Sequence, residues 1–289
     1  MLNTNEILEQ NGLNWNVVKK PLMYAGECVP GANNGLHDTP YYGIVREDTG
    51  EVFTTVSKGY EPTQNHTIIE TMQEIAEDNE LDIVKAIPLH GGRKVVIQMK
   101  RPDNITVIGG ETTEEYIYAI NGHDGTTSLK FGFMNKVIFC QNQFAWLSGN
   151  AFSGYRHTKS IQEKVEQLPS IINFSDQYEK IADLQEFAQQ SATPSLIYDL
   201  VHYLANTDKL EKDKELSSRK HNMINEITTC IDSEMNRITH TKWGVFNGVT
   251  QYTTHMKSSP NREYGQQESI LTGSCGKMNE KAFNFLKAY

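Results

Sequence analysis

Arg93, Lys94, Lys130, Lys136, Arg156 and Lys159 are the side chains whose type and spacing first suggest chemistry. The last four fall in residues 125–162, which hold no Asp or Glu, although the chain carries 36 acids against 27 bases and a formal net charge of −9. Phe131, Phe133, Phe139, Phe144, Trp146, Phe152 and Tyr155 are set among those bases. Lys and Arg neutralise a phosphate backbone, and aromatic faces stack on unpaired bases, so the pattern points to single-stranded nucleic acid. Arg93-Lys94 and Lys100-Arg101 flank a neighbouring hairpin and would join the same patch if the hairpins are adjacent. Strand alternation puts Leu129, Phe131 and Phe133 on the face opposite Lys130, so those three are expected in the core.

The loop Asn121-Gly122-His123-Asp124-Gly125-Thr126-Thr127-Ser128 precedes the basic run. Its Asn and Asp can make side-chain turns. A functional reading has Asn121, His123, Asp124 and Ser128 shape a binding groove, with backbone N–H groups and Ser128 offered to a phosphate. Cys140, His157 and Asp124 could also be assembled as nucleophile, base and orienting acid. Cys140 follows Val137-Ile138-Phe139, however, which suits a small buried residue, with Gln141 and Asn142 satisfying backbone groups at a strand-to-helix junction. A metal site from His123, Asp124 and His157 lacks any short ligand spacing, so no metal is expected.

The elements that must position these residues follow from the apolar period. Residues 1–12 suit a short helix or arm, and 15–24 a strand interrupted by Pro21, followed by a loop over 25–40. Residues 41–46 and 51–57 form a hairpin about Asp48-Thr49-Gly50. A helix is expected over 65–78, capped by Thr63 or Asn65, with Ile68, Met72, Ile75 and Ala76 inward. A second hairpin spans 81–89 and 94–100, residues 105–108 extend the sheet, and the third hairpin opens at Tyr116. From Thr158 the period becomes helical, with helices over 159–190, 194–206, 217–238, 241–257 and 277–288, a charged turn at 210–216 and a partly flexible segment at 257–276. The fold class is α+β: an antiparallel sheet of hairpins with a packed helix over 1–157, then a helical region over 158–289.

Residues 241–257 carry charge only at Lys242 and Lys257. A helix without charge on either face is buried on both sides or meets a partner, so Trp243 and Asn247 are structural or interface residues, with a stacking platform led by Trp243 as the alternative. The length suits one large or two small domains. An acidic total excludes a globally basic nucleic-acid binder, and no apolar run nears the ~20 residues of a membrane helix. The four dispersed cysteines and a polar, acidic start are read as a soluble cytoplasmic protein with reduced thiols.

Several short motifs together resemble the phage/plasmid-like family of domains of unknown function. They are Leu13-Asn14-Trp15, Asp48-Thr49-Gly50-Glu51, Tyr60-Glu61-Pro62-Thr63-Gln64-Asn65, Gly91-Gly92-Arg93-Lys94, Asn121 to Gly125, Lys136 to Asn142, Arg156-His157-Thr158 and Thr241 to His255. Gly122, Lys136 and Phe139 depart from that pattern. The family context implies DNA metabolism, or conflict with host defence, in a bacterial cytoplasm. The layout is also similar, at the level of fold, to the RecT and Redβ single-strand annealing proteins, which form rings or filaments and need no nucleotide. In agreement, the chain has no Walker-type loop, and no cofactor is expected. The expectation is a homo-oligomer that binds single-stranded DNA and promotes annealing or recombination. Two further readings stand beside it: a protein-interaction module acting on a host or phage partner, such as a defence system, and a Cys140/His157 or metal-dependent hydrolase.

Overall fold

The computed structural model describes residues 3–26, 35–146, 154–171, 175–208, 216–257 and 265–289. In chain order, α1 (Thr4–Gln10) is followed by β1 (Val17–Ala25), β2 (Leu36–Arg46), β3 (Val52–Ser57), α2 (Asn65–Asp78), β4 (Asp82–Leu89) and β5 (Lys94–Lys100). Next come β6 (Ile105–Ile108), β7 (Glu111–Gly122), β8 (Lys130–Val137) and β9 (Gln143–Trp146). The helical part holds α3 (Ile161–Glu166), α4 (Leu168–Ile171), α5 (Ser175–Phe187), α6 (Pro194–Leu204), α7 (Ser218–Arg237) and α8 (Lys242–Gln251). A π turn (Tyr252–Met256), α9 (Gly265–Leu271) and α10 (Ser274–Ala288) complete it. The protein is α+β, with antiparallel sheets of three and six strands and a helical C-terminal part.

The smaller sheet has the order β1-β2-β3, and the larger β4-β5-β7-β8-β9 with β6 paired to β7. The chain divides into two compact units. Unit 1 comprises Met1–Pro102, Ile117–Phe131 and Gly149–Ile172; unit 2 comprises Asp103–Tyr116, Gly132–Ser148 and Asn173–Tyr289. Strands β7 and β8 therefore each pass from one unit to the other along their length.

In unit 1, α2 turns Ile68, Ile69, Met72, Ile75 and Ala76 inward, as its apolar period requires. Neither Thr63 nor Asn65 caps it; the N-cap is Gln64, whose amide instead bonds both backbone groups of Val17. Pro21 does not end β1. That strand lies at a sheet edge, where a missing N–H is tolerated, and the register shifts between Pro21 and Met23. The expected loop at 25–40 is shorter than read, because β2 begins at Leu36 and pairs with the end of β1; residues 27–34 lie outside the described ones.

In unit 2 the core is aromatic. Phe144 meets Phe246 edge-on at 5.2 Å, and Phe246 meets Phe283 at 6.0 Å. Trp243 to Thr250 are buried, so the charge-free helix is enclosed on both faces and Trp243 offers no platform. The helix expected over 159–190 is broken into α3, α4 and α5; Pro169 has no N–H for the preceding turn, and residues 172–174 lie outside the described ones. A helix, α9, occupies part of the segment read as flexible, while most of the charged turn at 210–216 lies outside the described residues. Residues 138–142 join β8 to β9, not strand to helix: Val137 N–H donates to Asn142 O, and Gln141 turns the chain at φ 59°. No described helix is long and apolar enough to cross a membrane.

Candidate functional site

A cleft of 380 Å³ opens in unit 1 between the turn after β3, the loop after β7 and residues 156–158. Its walls carry the hydroxyls of Ser57, Thr126, Thr127, Ser128 and Thr158, and Arg156 supplies charge. Tyr60 and His157 form its floor, their rings 5.2 Å apart. The other lining residues are Gly59 and Gly125, so no described carboxylate faces it.

Residues 155–158 are fixed from two sides. Tyr155 and Leu129 exchange backbone hydrogen bonds at 2.7 and 3.0 Å, and Glu61 N–H donates to His157 O at 3.1 Å. A Cβ at Gly122 would collide with the Thr127 backbone carbonyl, so that close approach needs glycine, while one at Gly154 would meet the rotatable Ser128 hydroxyl. Arg156 is exposed, and no partner for its side chain is seen among the described residues.

The loop beside the cleft is held by Asp124. Its Oδ1 accepts from Thr126 N–H at 2.9 Å and Thr127 N–H at 2.7 Å, its Oδ2 accepts from the Thr127 hydroxyl at 2.8 Å, and Lys94 Nζ lies 3.7 Å away. Burial works to raise the Asp124 pKa, but the Thr127 and Thr126 donors and Lys94 outweigh it and hold the carboxyl below its usual range. Of the loop N–H groups offered to a phosphate, those of Thr126 and Thr127 are thus spent on Asp124.

Asn121 and His123 lie behind the loop rather than at the groove. His123 is fully buried, against Trp15 at 5.5 Å and Phe53 at 6.3 Å. Asn65 Nδ2 donates to the carbonyls of Leu13 and Trp15, which leaves Asn65 Oδ1 to accept from His123 Nε2 at 3.0 Å. Asn121 Nδ2 donates to Thr63 O at 3.0 Å, and the Thr63 hydroxyl meets His157 Nδ1 at 3.4 Å. Burial, then the neighbouring His157, push the His123 pKa down to about 3, so the ring is neutral. Burial lowers His157 as well, against the Glu61 and Thr127 backbone and the Asp124 charge. Tyr60 donates to Gly122 O at 3.0 Å, and burial followed by Asp124 raises its phenol pKa.

The basic residues divide. Arg93 pairs with Glu51 at 3.0 Å, Lys94 approaches Asp124, and in unit 2 Lys136 approaches Glu114 at 3.9 Å. Acids from outside the acid-free stretch therefore neutralise these positions. Lys130 and Lys159 border the cleft residues Ser128 and Thr158 in sequence, and neither has an acidic partner among the described residues.

Unit 2 holds a second polar cluster. Arg237 donates to both oxygens of Glu111, at 2.6 and 3.2 Å, and to Glu234 at 2.6 and 3.0 Å. Asn142 Nδ2 reaches Glu234 at 3.4 Å and Asn247 O at 3.2 Å. Burial opposes the Arg237 charge, but the two carboxylates prevail and raise its pKa. Phe139, 74% exposed, covers the guanidinium at 4.8 Å. Burial pushes the Cys140 thiol up to about 11, which favours its protonated form. Among the described residues no group of His, Cys, Asp or Glu could hold a metal ion.

Sequence reasoning missed Tyr60, Thr158 and the Arg237 cluster. Tyr60 sits in a connector without periodicity, and Glu111 is 126 positions from Arg237 in the chain. The spacing of Glu234 and Arg237, one helical turn, was the visible signal.

Fold and cleft together define an α+β protein with a polar cleft on one unit, lined by no described carboxylate. Residues 52–274 match the family described as Domain of unknown function (DUF932), and the chain belongs to it. No curated protein and no solved structure matches the chain.

Proposed function

We propose that this protein binds single-stranded DNA through unit 1 and, as an oligomer, promotes strand annealing or recombination. One observation carries the reading: an acidic chain builds a cleft with hydroxyl walls, an Arg156 without a partner among the described residues, and no described carboxylate. Arginine and hydroxyl groups are what phosphate oxygens take from proteins, and Lys130 and Lys159 extend the positive charge along the strand path. The likeness to RecT and Redβ proteins, and a phage or plasmid setting, are fold-level and family-level analogy that agree with this role.

The double variant Lys130→Ala/Arg156→Ala tests it. Single-strand affinity should fall at least tenfold, and the slope of log affinity against log salt should flatten by about one to two, as expected when two phosphate contacts are lost. Unchanged affinity in a folded double variant contradicts the reading.

A second reading has its own observation. The β1–β2 ribbon exposes Met23, Tyr24 and Leu36 beyond the β2–β3 register, and Tyr41 where that register ends. Exposed apolar side chains of this kind suit a protein contact, either self-association or a defence-system partner. Sedimentation of the wild type and of Tyr24→Ser/Leu36→Ser separates the two: a loss of oligomer assigns the ribbon to self-association.

A further inference from the structure

The cleft in unit 1 constrains which part of a strand it can hold. Its 380 Å³ exceeds what a phosphate group fills and lies in the range of small-molecule pockets. Stacking a base requires an open aromatic face, but Tyr60 is only 9% exposed and His157 only 6%. Base edges are read by guanidinium, hydroxyl, amide and ring-nitrogen groups, and the cleft lining holds no side-chain amide. His157 Nδ1 meets Thr63, its Nε2 is covered, and the N–H groups of Thr126 and Thr127 are held by Asp124. What remains toward the cleft is the Arg156 guanidinium and the hydroxyls of Ser57, Thr126, Ser128 and Thr158, over the carbon surface of two rings. Charge, hydroxyls and a small apolar floor match a phosphorylated sugar, and no open ring face is left to stack a base.

Building on the nucleic-acid reading, we infer that the cleft holds one sugar-phosphate unit of the strand, with its base left outside. Arg156 takes the phosphate, Ser128 and Thr158 bond its oxygens or the sugar, and the Tyr60 and His157 rings pack under the sugar. Binding at this point is therefore indifferent to base identity.

The test uses the full chain and small probes: 2-deoxyribose 5-phosphate, the four deoxynucleoside 5′-monophosphates and inorganic phosphate. Each is titrated by calorimetry, and each competes against a labelled single-stranded oligonucleotide. The five sugar phosphates should bind within threefold of one another and at least tenfold tighter than inorganic phosphate. All should weaken at least tenfold in Arg156→Ala, whose thermal unfolding should match the wild type because Arg156 is exposed. A preference above tenfold among the four nucleotides would overturn the inference, since the base would then be read. Equal affinity for inorganic phosphate overturns the sugar part of it. Strand binding without any sugar-phosphate binding removes this site while leaving the nucleic-acid reading intact. Sugar-phosphate binding without strand binding does the reverse.

Discussion

The two units bury polar groups in different ways. In unit 1 the chain of His123, Asn65, Asn121, Thr63 and His157 lies behind an open cleft, and both imidazoles are held toward the neutral form. In unit 2 the cluster is charged and closed, with Arg237 shared between Glu111 and Glu234. A buried charge tolerates neither loss of its partner nor access by water, so the unit 2 cluster acts as a structural clamp. Neutral groups behind a cleft shape a surface without fixing its charge, and Arg156 supplies charge at the cleft. The difference separates stability from binding, and it can be broken by substitution.

The largest effect is expected in unit 2. Arg237→Leu leaves Glu111 and Glu234 uncompensated and should lower unfolding free energy by about 3–5 kcal/mol in a denaturant titration. Single-strand affinity should be kept wherever that variant is folded. A loss below 1 kcal/mol would mean that the clamp contributes little.

Acid should act next, through unit 1. The pKa of His123 is about 3 when folded, against an ordinary value of 6.5. Between those values the unfolded chain binds the extra proton, so stability should decline as pH falls from 6.5 toward 3 and be unaffected by this group above 6.5. The slope from one such group is at most about 1.4 kcal/mol per pH unit. His157 is shifted the same way and adds to it. Comparing denaturant midpoints of the wild type and His123→Gln across that range should show a shallower decline in the variant.

Asp124→Ala sharpens the link between loop and cleft. It removes three hydrogen bonds to one carboxylate and should cost about 1.5–3 kcal/mol. It should also weaken single-strand binding, because Thr126 to Ser128 lose their placement. Stability loss without binding loss would show that the loop is not part of the site. Arg156→Ala should have the smallest effect on stability, within about 0.5 kcal/mol as for other exposed positions.

Much of this arrangement was legible because it follows local rules. The hairpins stand where β-prone runs flank turn residues, α2 shows its buried face, and Leu129, Phe131 and Phe133 lie in the core, although β5 and the middle of β8 are buried on both faces. The absence of charge in α8 correctly indicated enclosure. The site was less legible because its residues meet only through tertiary pairing. The acid-free stretch suggested four basic contacts and the neighbouring hairpin two more, but Glu51, Asp124 and Glu114 come from other segments to pair with Arg93, Lys94 and Lys136. His123 looked like a groove residue because a Gly- and Thr-rich loop follows it, yet its own position closes β7 against Trp15 and Phe53. Tyr60 belongs to no periodic element, and only the fold brings it beneath His157.

Fluorescence anisotropy of the full chain with a labelled single-stranded oligonucleotide and its duplex, at low and moderate salt, tests the central claim most directly. The account predicts single-strand binding that weakens steeply with salt, is preferred over duplex, and falls at least tenfold in Arg156→Ala. No single-strand binding at low salt, or equal binding by Arg156→Ala, would contradict it and leave the exposed β1–β2 ribbon as the surface to pursue.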